Sequence, residues 1–161
     1  MIRLSTFWVI TLNCFAWVVI HFGVAYLASR IRDDRFKPRS VIFRTRPWER
    51  NGKIYQTIFR VKRWKPLLPS GGKLFGLFTI NRFCSSGRDY INKWITASCR
   101  AELTHWLAML PVLLFLIWNP FLAWIINVIY ALFANMPCII SQRYNRPRVL
   151  ALAKRRNKSK N

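Results

Sequence analysis

The sequence predicts a mainly α-helical, small integral membrane protein. It should have an N-terminal transmembrane helix, a basic interfacial middle region and a C-terminal transmembrane helical hairpin. Of its 161 residues 53% are hydrophobic, yet the formal net charge is +22. The two characters are segregated along the chain, since no Asp, Glu, Lys or Arg lies between His105 and Arg143. A soluble fold would intersperse them.

The first element is an uncharged run over residues 7–27, which at about 20 residues is long enough to cross a bilayer. Small residues in AYLAS leave a cleaved signal peptide as an alternative. The run is longer than a usual signal-peptide core and only Arg3 precedes it, so residues 1–29 are interpreted as an uncleaved anchor. The basic residues that follow place the next region in the cytoplasm and the N-terminus outside.

Residues 30–99 form a basic, aromatic-rich region. Asn51-Gly52 would suit a β-hairpin turn between SVIF and IYQTIFRV. The helical spacing of apolar residues over 53–65 favours instead an amphipathic helix on the membrane surface. LLPSGG, residues 67–72, should end it. KLFGLFTINRF, residues 73–83, is too short to span and is expected to dip into the interface.

The predicted hairpin occupies residues 100–148 and turns at WNP, residues 118–120. At ~1.5 Å per residue the later arm covers about 30 Å, but the earlier arm, residues 105–118, covers only about 20 Å. A spanning hairpin must recruit preceding turns and draw Glu102 and His105 below the headgroups. A re-entrant hairpin would keep them at the surface. Pro111 and Pro137 should kink the arms, Arg146 before Pro147 should end the helix, and 149–161 is a basic tail.

The candidate site begins with RAELTHW, residues 100–106. Glu102 and His105 are three apart and share a helical face. Histidine suits proton transfer near neutrality, and a carboxylate can orient it and stabilise the imidazolium. The simpler alternative is a salt bridge at the helix edge.

An antiparallel hairpin would bring QRYNRPR, residues 142–148, beside this pair. Its arginines can donate to phosphates or to a developing oxyanion, and Asn145 adds a neutral donor. The same arginines are also explained as a topology signal.

Other reactive residues are interpreted structurally. The four cysteines are scattered, without a CxxC pair, and predict free thiols with neither a disulfide nor a metal site. Asp33 and Asp34 lie in a basic stretch and should be ion-paired. His21, alone in the first apolar run, should make an internal hydrogen bond.

Several motifs together resemble one family. They are R-A-E-L-x-H-W, the proline-bearing apolar hairpin, Y-A-x-x-A-N-x-P at 130–137 and Q-R-Y-N-R-P-R. R-I-x-D at 30–33, E-x-x-G-K at 49–53 and V-K-R-W-K at 61–65 agree with them. The family is the glycosyl-4,4′-diaponeurosporenoate acyltransferases of staphyloxanthin-type carotenoid synthesis, and the likeness covers residues 30–148.

This resemblance implies an acyltransferase that moves a fatty acyl group onto a sugar hydroxyl of a carotenoid glycoside, the final step of pigment synthesis. It implies an acyl-CoA or acyl carrier protein thioester as co-substrate and no cofactor. His105 and Glu102 would be catalytic. The substrate-binding residues carried over by motif position are Arg100, Gln142, Arg143, Tyr144, Asn145, Arg146 and Arg148.

The chain departs from the family pattern at Pro69-Ser70-Gly71, where Pro-Asp-Gly is expected, and over residues 73–98. The acceptor therefore stays open, with another glycolipid as the alternative. A non-enzymatic anchor that binds anionic lipid or a partner complex is the rival from another class. The basic surface suits anionic lipids and an anionic acyl donor, and no nucleic acid is expected. The predicted location is the cell membrane, multi-pass, with the site on the cytoplasmic side.

Overall fold

A computed structural model describes residues 5–68, 76–78 and 87–158, with side chains to residue 155. Within these ranges the chain is helical and contains no β-strand, so the hairpin alternative at Asn51-Gly52 is wrong. The helices are α1 (Thr6–Arg30), α2 (Lys53–Phe59), α3 (Val61–Trp64), α4 (Arg88–Met109) and α5 (Phe121–Lys158), with short 3₁₀ turns between them.

Three helical segments are long and apolar enough to cross a membrane: Thr6–Arg30, Arg88–Ile117 and Phe121–Arg155. α4 packs along α5, and α1 packs along α4. Large apolar side chains such as Leu122 and Phe133 stay exposed on the outer surface. Exposed apolar surface on this scale indicates association with a membrane.

The predicted turn at Trp118 to Pro120 is confirmed, but the arm before it is not a regular α-helix. From Leu110 to Ile117 the chain is a 3₁₀ helix with Pro111 in its first turn. At ~2.0 Å per residue for that segment, residues 105–117 rise about 24 Å. About one further turn before His105 would therefore complete a 30 Å span, within the turn or two that the sequence predicts.

α5 continues through Pro137 and Pro147 to Lys158, so the predicted helix end at Arg146 is wrong. Packing beyond the proline explains the difference. Val149 is buried in a cluster with Ile91 and Trp94 of α4, which holds the next turn in helical register. Tertiary contacts of this kind override local propensity.

The single helix predicted over residues 53–65 is broken at Arg60, which has a left-handed backbone with φ 49°. The break lets Tyr55 and Val61 both pack against Ile140 and Tyr144 of α5. A helix is therefore correct, but its apolar side docks largely on protein. The expected interfacial dip and the LLPSGG break lie mostly outside the described residues.

Side-chain amides join α1 to the hairpin turn. Asn13 Nδ2 donates to Asn119 Oδ1 at 2.8 Å, and Asn119 Nδ2 returns a bond to Asn13 Oδ1 at 2.9 Å. Trp118 Nε1 donates to the same Asn13 oxygen at 2.8 Å. Each bond satisfies polar groups that apolar surroundings would otherwise penalise.

Gly52 offers a stability test, because its φ is +80° and an added Cβ would lie 2.9 Å from the Tyr144 carbonyl oxygen. We expect Gly52→Ala to lose at least the ~1–2 kcal/mol of left-handed strain, plus the cost of separating the 3₁₀ turn from α5. Thermal unfolding in detergent measures this. Gly23→Ala is the control, since a Cβ there meets open space. Equal midpoints for the two variants would contradict the close approach.

Candidate active site

Glu102 is a fully buried carboxylate held by two arginines of α5. Arg143 Nε donates to Oε1 at 2.7 Å, and Arg146 Nη2 lies 2.7 Å from Oε2. Oε2 accepts no hydrogen bond of good geometry among the described residues, so the Arg146 contact is an ion pair. The predicted meeting of RAELTHW with QRYNRPR is thus confirmed.

Glu49, also buried, extends the network to the segment before α2. Arg143 Nη1 and the Tyr55 hydroxyl donate to its Oε1 at 2.6 and 2.7 Å, and the Arg46 amide donates to Oε2 at 2.8 Å. Burial alone would raise the pKa of Glu49, but these bonds outweigh burial and hold that pKa below its usual range. The network therefore adds stability at neutral pH that is lost as the pH falls through the folded-state pKa.

The remaining donors of the two arginines are directed at protein acceptors. Arg143 Nη2 donates to the Ile42 carbonyl at 2.8 Å. Arg146 donates to the Ser98 hydroxyl and carbonyl and to the Phe43 carbonyl. In this arrangement both guanidinium groups fix α5 against α4 and the 42–49 segment.

His105 has a different partner from the one predicted. Its Nδ1 lies 2.9 Å from Asn135 Oδ1, and Asn135 Nδ2 donates to the Ala131 carbonyl at 2.9 Å. A carbonyl can only accept, so the Asn135 amide is oriented with Oδ1 toward the imidazole. Nδ1 must therefore carry the proton, and the lone pair of Nε2 is left available.

Glu102 Oε1 accepts hydrogen bonds from Arg143 Nε and, at 3.4 Å, from Trp106 Nε1. Within the described residues no bond joins Glu102 to His105, although they are three apart. The hydrogen bond to His105 that was predicted for Glu102 is made by Asn135 instead, because the arginines of α5 occupy the carboxylate.

The Asn135 geometry recurs at the hairpin turn and along α5. Asn119, Asn127 and Asn145 also donate Nδ2 to the carbonyl four residues earlier and turn Oδ1 toward another segment. Their Oδ1 atoms accept from Asn13, the Trp17 indole and Lys65, respectively. Each amide is satisfied at both ends and links neighbouring elements.

Arg100 joins α4 to the end of α1. It donates to the carbonyls of Ala28 and Ile31 at the end of α1 and forms a 2.5 Å ion pair with Asp33. Asp34 pairs with Arg32 at 3.5 Å on the surface. The expected pairing of both aspartates is confirmed.

The other predicted substrate-binding residues lie on α5, between residues 142 and 148. Tyr144 is buried in the α2–α5 cluster, and the Arg148 guanidinium stacks 3.6 Å from the centre of its ring. Asn145 Oδ1 accepts from Lys65 Nζ at 2.9 Å. Gln142 is buried, and its Oε1 has no hydrogen-bond partner in the described part of the chain.

His21 lies on an aromatic surface between α1 and α5. Its ring stacks on Trp17, with the ring centres 5.6 Å apart, and makes an edge contact with Tyr130, with the ring centres 6.3 Å apart. Cys14, Cys99 and Cys138 are free thiols, and Cys84 lies outside the described residues. Across residues 5–68, 76–78 and 87–155 no cluster of three or more metal-ligand side chains occurs.

Sequence reasoning missed Glu49, Lys65 and Asn135 as members of this site. Each stood in a motif: Glu49 in E-x-x-G-K, Lys65 in V-K-R-W-K and Asn135 in Y-A-x-x-A-N-x-P. The signal was a polar residue inside an otherwise apolar or basic motif, where only long-range contacts can define its role.

Comparisons with known proteins agree with the motif resemblance. A family model described as glycosyl-4,4′-diaponeurosporenoate acyltransferase matches residues 38–155. Proteins of that name from Staphylococcus aureus strains bovine RF122 / ET3-1 and USA300 are each 37% identical to this chain over 137 residues. These alignments cover 84% of this chain and 82% of each relative. No solved structure matches this chain significantly.

The buried ion pairs predict an unequal response to two equivalent substitutions. Glu102→Gln leaves two guanidinium groups without their shared carboxylate and should destabilise the fold by ~3–5 kcal/mol. Asp34→Asn makes the same chemical change at an exposed pair and should cost less than about 1 kcal/mol. Thermal and denaturant unfolding in one detergent compares them. Similar losses for both would show that Glu102 does not hold the arms together.

Proposed function

This chain belongs to the glycosyl-4,4′-diaponeurosporenoate acyltransferase family, and from that premise we propose that it transfers a fatty acyl group from an acyl thioester to a sugar hydroxyl of a glycosylated carotenoid. The chain is an acyltransferase by family membership. The name of the relatives supports the carotenoid glycoside as acceptor. That the transfer is the final step of staphyloxanthin-type pigment synthesis is part of the proposal. The thioester donor is part of the proposal.

The observation that carries the mechanism is the His105–Asn135 hydrogen bond. It holds the neutral imidazole with its proton on Nδ1 and its lone pair on Nε2. Nε2 would remove the proton of the sugar hydroxyl as its oxygen attacks the thioester carbonyl carbon. The carbon–sulfur bond then breaks, and the imidazolium returns the proton to the departing thiolate. Atoms and charge balance without a covalent acyl-enzyme.

Asn135 is proposed as the positioning residue for His105, and Glu102 as a positioning residue for the whole site. Glu102 and its two arginines fix α4 against α5, so that His105 and Asn135 face each other across the hairpin. Arg143 and Arg146 would act through this placement, because their described N–H groups donate inside the protein.

The proposed site lies at the membrane boundary, on the cytoplasmic side. The exposed cations Lys154 and Arg155 at the end of α5 and the basic residues after α1 support this sidedness by the positive-inside rule. The apolar faces of the helices would lie in lipid with the carotenoid, while the sugar and the donor meet near His105. Anionic lipids are proposed as further partners of the basic surface.

The catalytic proposal is tested by mass-spectrometric assay of membranes given a glycosylated carotenoid and an acyl-CoA. We expect His105→Ala to lower the acylation rate by at least ~100-fold. Asn135→Ala should lower kcat through the lost tautomer control. Asn127→Ala is the matched control, because it removes the same kind of amide bridge, to Trp17 instead of His105.

Two results would count against this mechanism. Normal acylation by His105→Ala would remove the base, and equal kcat losses in Asn135→Ala and Asn127→Ala would reduce Asn135 to a packing role. Acylation of another glycolipid in preference to the carotenoid glycoside would change the acceptor and leave the mechanism intact.

Sidedness is tested by introducing cysteines into a background whose native cysteines are serine. We expect Ser5→Cys to react with an impermeant thiol reagent in intact cells, and Lys154→Cys to react only after permeabilisation. Both positions are exposed. Labelling of Lys154→Cys in intact cells would place the end of α5, and with it the site, outside.

A further inference from the structure

Lys65 and Arg148 are two cations near Asn145, at the end of the proposed site that we place in the cytoplasm. Lys65 Nζ donates to Asn145 Oδ1 at 2.9 Å. Arg148 is three residues beyond Asn145 on α5 and therefore shares its face of the helix. Its guanidinium lies flat on the Tyr144 ring and donates to the Tyr144 carbonyl. Both cations are half-buried and held in place.

Among the described residues, neither of these two cations forms an ion pair with a carboxylate. The chain has five acidic residues, and all lie in the described ranges. Glu49 and Glu102 pair with Arg143 and Arg146, Asp33 and Asp34 pair with Arg100 and Arg32, and Asp89 forms no ion pair with a described residue. Burial, and then the charge of Arg148, lower the pKa of Lys65, as expected for neighbouring cations without an anion.

The position of the pair relative to His105 gives its chemistry. His105 is bonded to Asn135, and Lys65 to Asn145, ten residues further along α5. The two positions are therefore about 15 Å apart along the helix axis. This separation is on the scale of an extended pantetheine arm, whose one end is a phosphate and whose other end is the thioester sulfur. Acyl-CoA and acyl carrier proteins share this arm.

We propose that Lys65 and Arg148 bind the phosphate of the acyl donor's phosphopantetheine arm and so place its thioester at His105. The proposal rests on the proposed function and adds a donor subsite to it. Arg148 supplies planar N–H donors, Lys65 adds a point charge, and a bound phosphate would provide the counter-charge that no carboxylate in the described ranges supplies. The same phosphate chemistry occurs in lipid headgroups, so the test must separate the two sources.

The first measurement is equilibrium binding to the purified full chain in nanodiscs of neutral phosphatidylcholine. The probes are 4′-phosphopantetheine and pantetheine, which differ only in the phosphate. We expect the phosphorylated probe to bind at least about tenfold more tightly, the scale of hydrogen bonds to a charged group. Lys65→Gln and Arg148→Gln should each remove most of this advantage, while Arg148→Lys should keep part of it.

The matched controls are cations close to the site residues in the sequence: Lys62 of α3 precedes Lys65, and Arg155 follows Arg148 on α5. Lys62→Gln and Arg155→Gln remove equally charged but exposed side chains and should change the binding of either probe less than twofold. Equal losses in controls and site variants would overturn the proposal, because general surface charge would then explain binding. Unchanged thermal midpoints show that each variant is folded.

Two further arms separate the donor from lipid and from the reaction. If both probes bind alike, and Lys65→Gln instead weakens binding to vesicles containing phosphatidylglycerol, the pair serves lipid and the donor proposal is wrong. In acylation assays the site variants should raise KM for acyl-phosphopantetheine about tenfold with little change in kcat, and leave KM for acyl-pantetheine unchanged. Probe binding stays measurable even if no carotenoid is acylated, so failure of the proposed function is distinguishable.

Discussion

The fold around the site depends on one buried carboxylate between two guanidinium groups. Glu102 lies at the edge of a long apolar run, where an isolated charge would be very costly. Arg143 and Arg146 neutralise it, and Arg143 also binds Glu49. Two carboxylates and two guanidinium groups thus form a cluster with no net charge. Because every member is needed for that neutrality, the relative positions of α4, α5 and the segment before α2 are fixed together.

A second constraint comes from asparagine amides in apolar surroundings. Each of four asparagines donates to the carbonyl four residues earlier, which determines where its oxygen points. At Asn127 the oxygen meets an indole N–H and only connects α1 to α5. At Asn135 the same geometry meets an imidazole and selects its tautomer. The same asparagine geometry therefore joins two helices at Asn127 and fixes the position of the imidazole proton at Asn135.

Segregation of charge and apolar runs was enough to predict the three long helices, the turn at Trp118 to Pro120 and the meeting of the two motifs. The partner of His105 was not predictable, because positions three apart on a helix can meet but need not. Long-range donors on α5 compete for Glu102, and nothing local reveals them. The same holds for α5 continuing past Pro147, which depends on packing of Val149.

The balance of charge explains why the site has two ends. With 27 basic and five acidic residues, the chain cannot neutralise its cations internally. Glu49 and Glu102 form ion pairs with Arg143 and Arg146, so this cluster carries no net charge. The imidazole of His105 is bonded to the neutral amide of Asn135. Lys65, which binds Asn145 of α5, and Arg148 have no carboxylate partner among the described residues. In the proposed mechanism, proton transfer at His105 and phosphate binding at Lys65 and Arg148 are therefore separated along α5, which suits a donor that is charged at one end and reactive at the other.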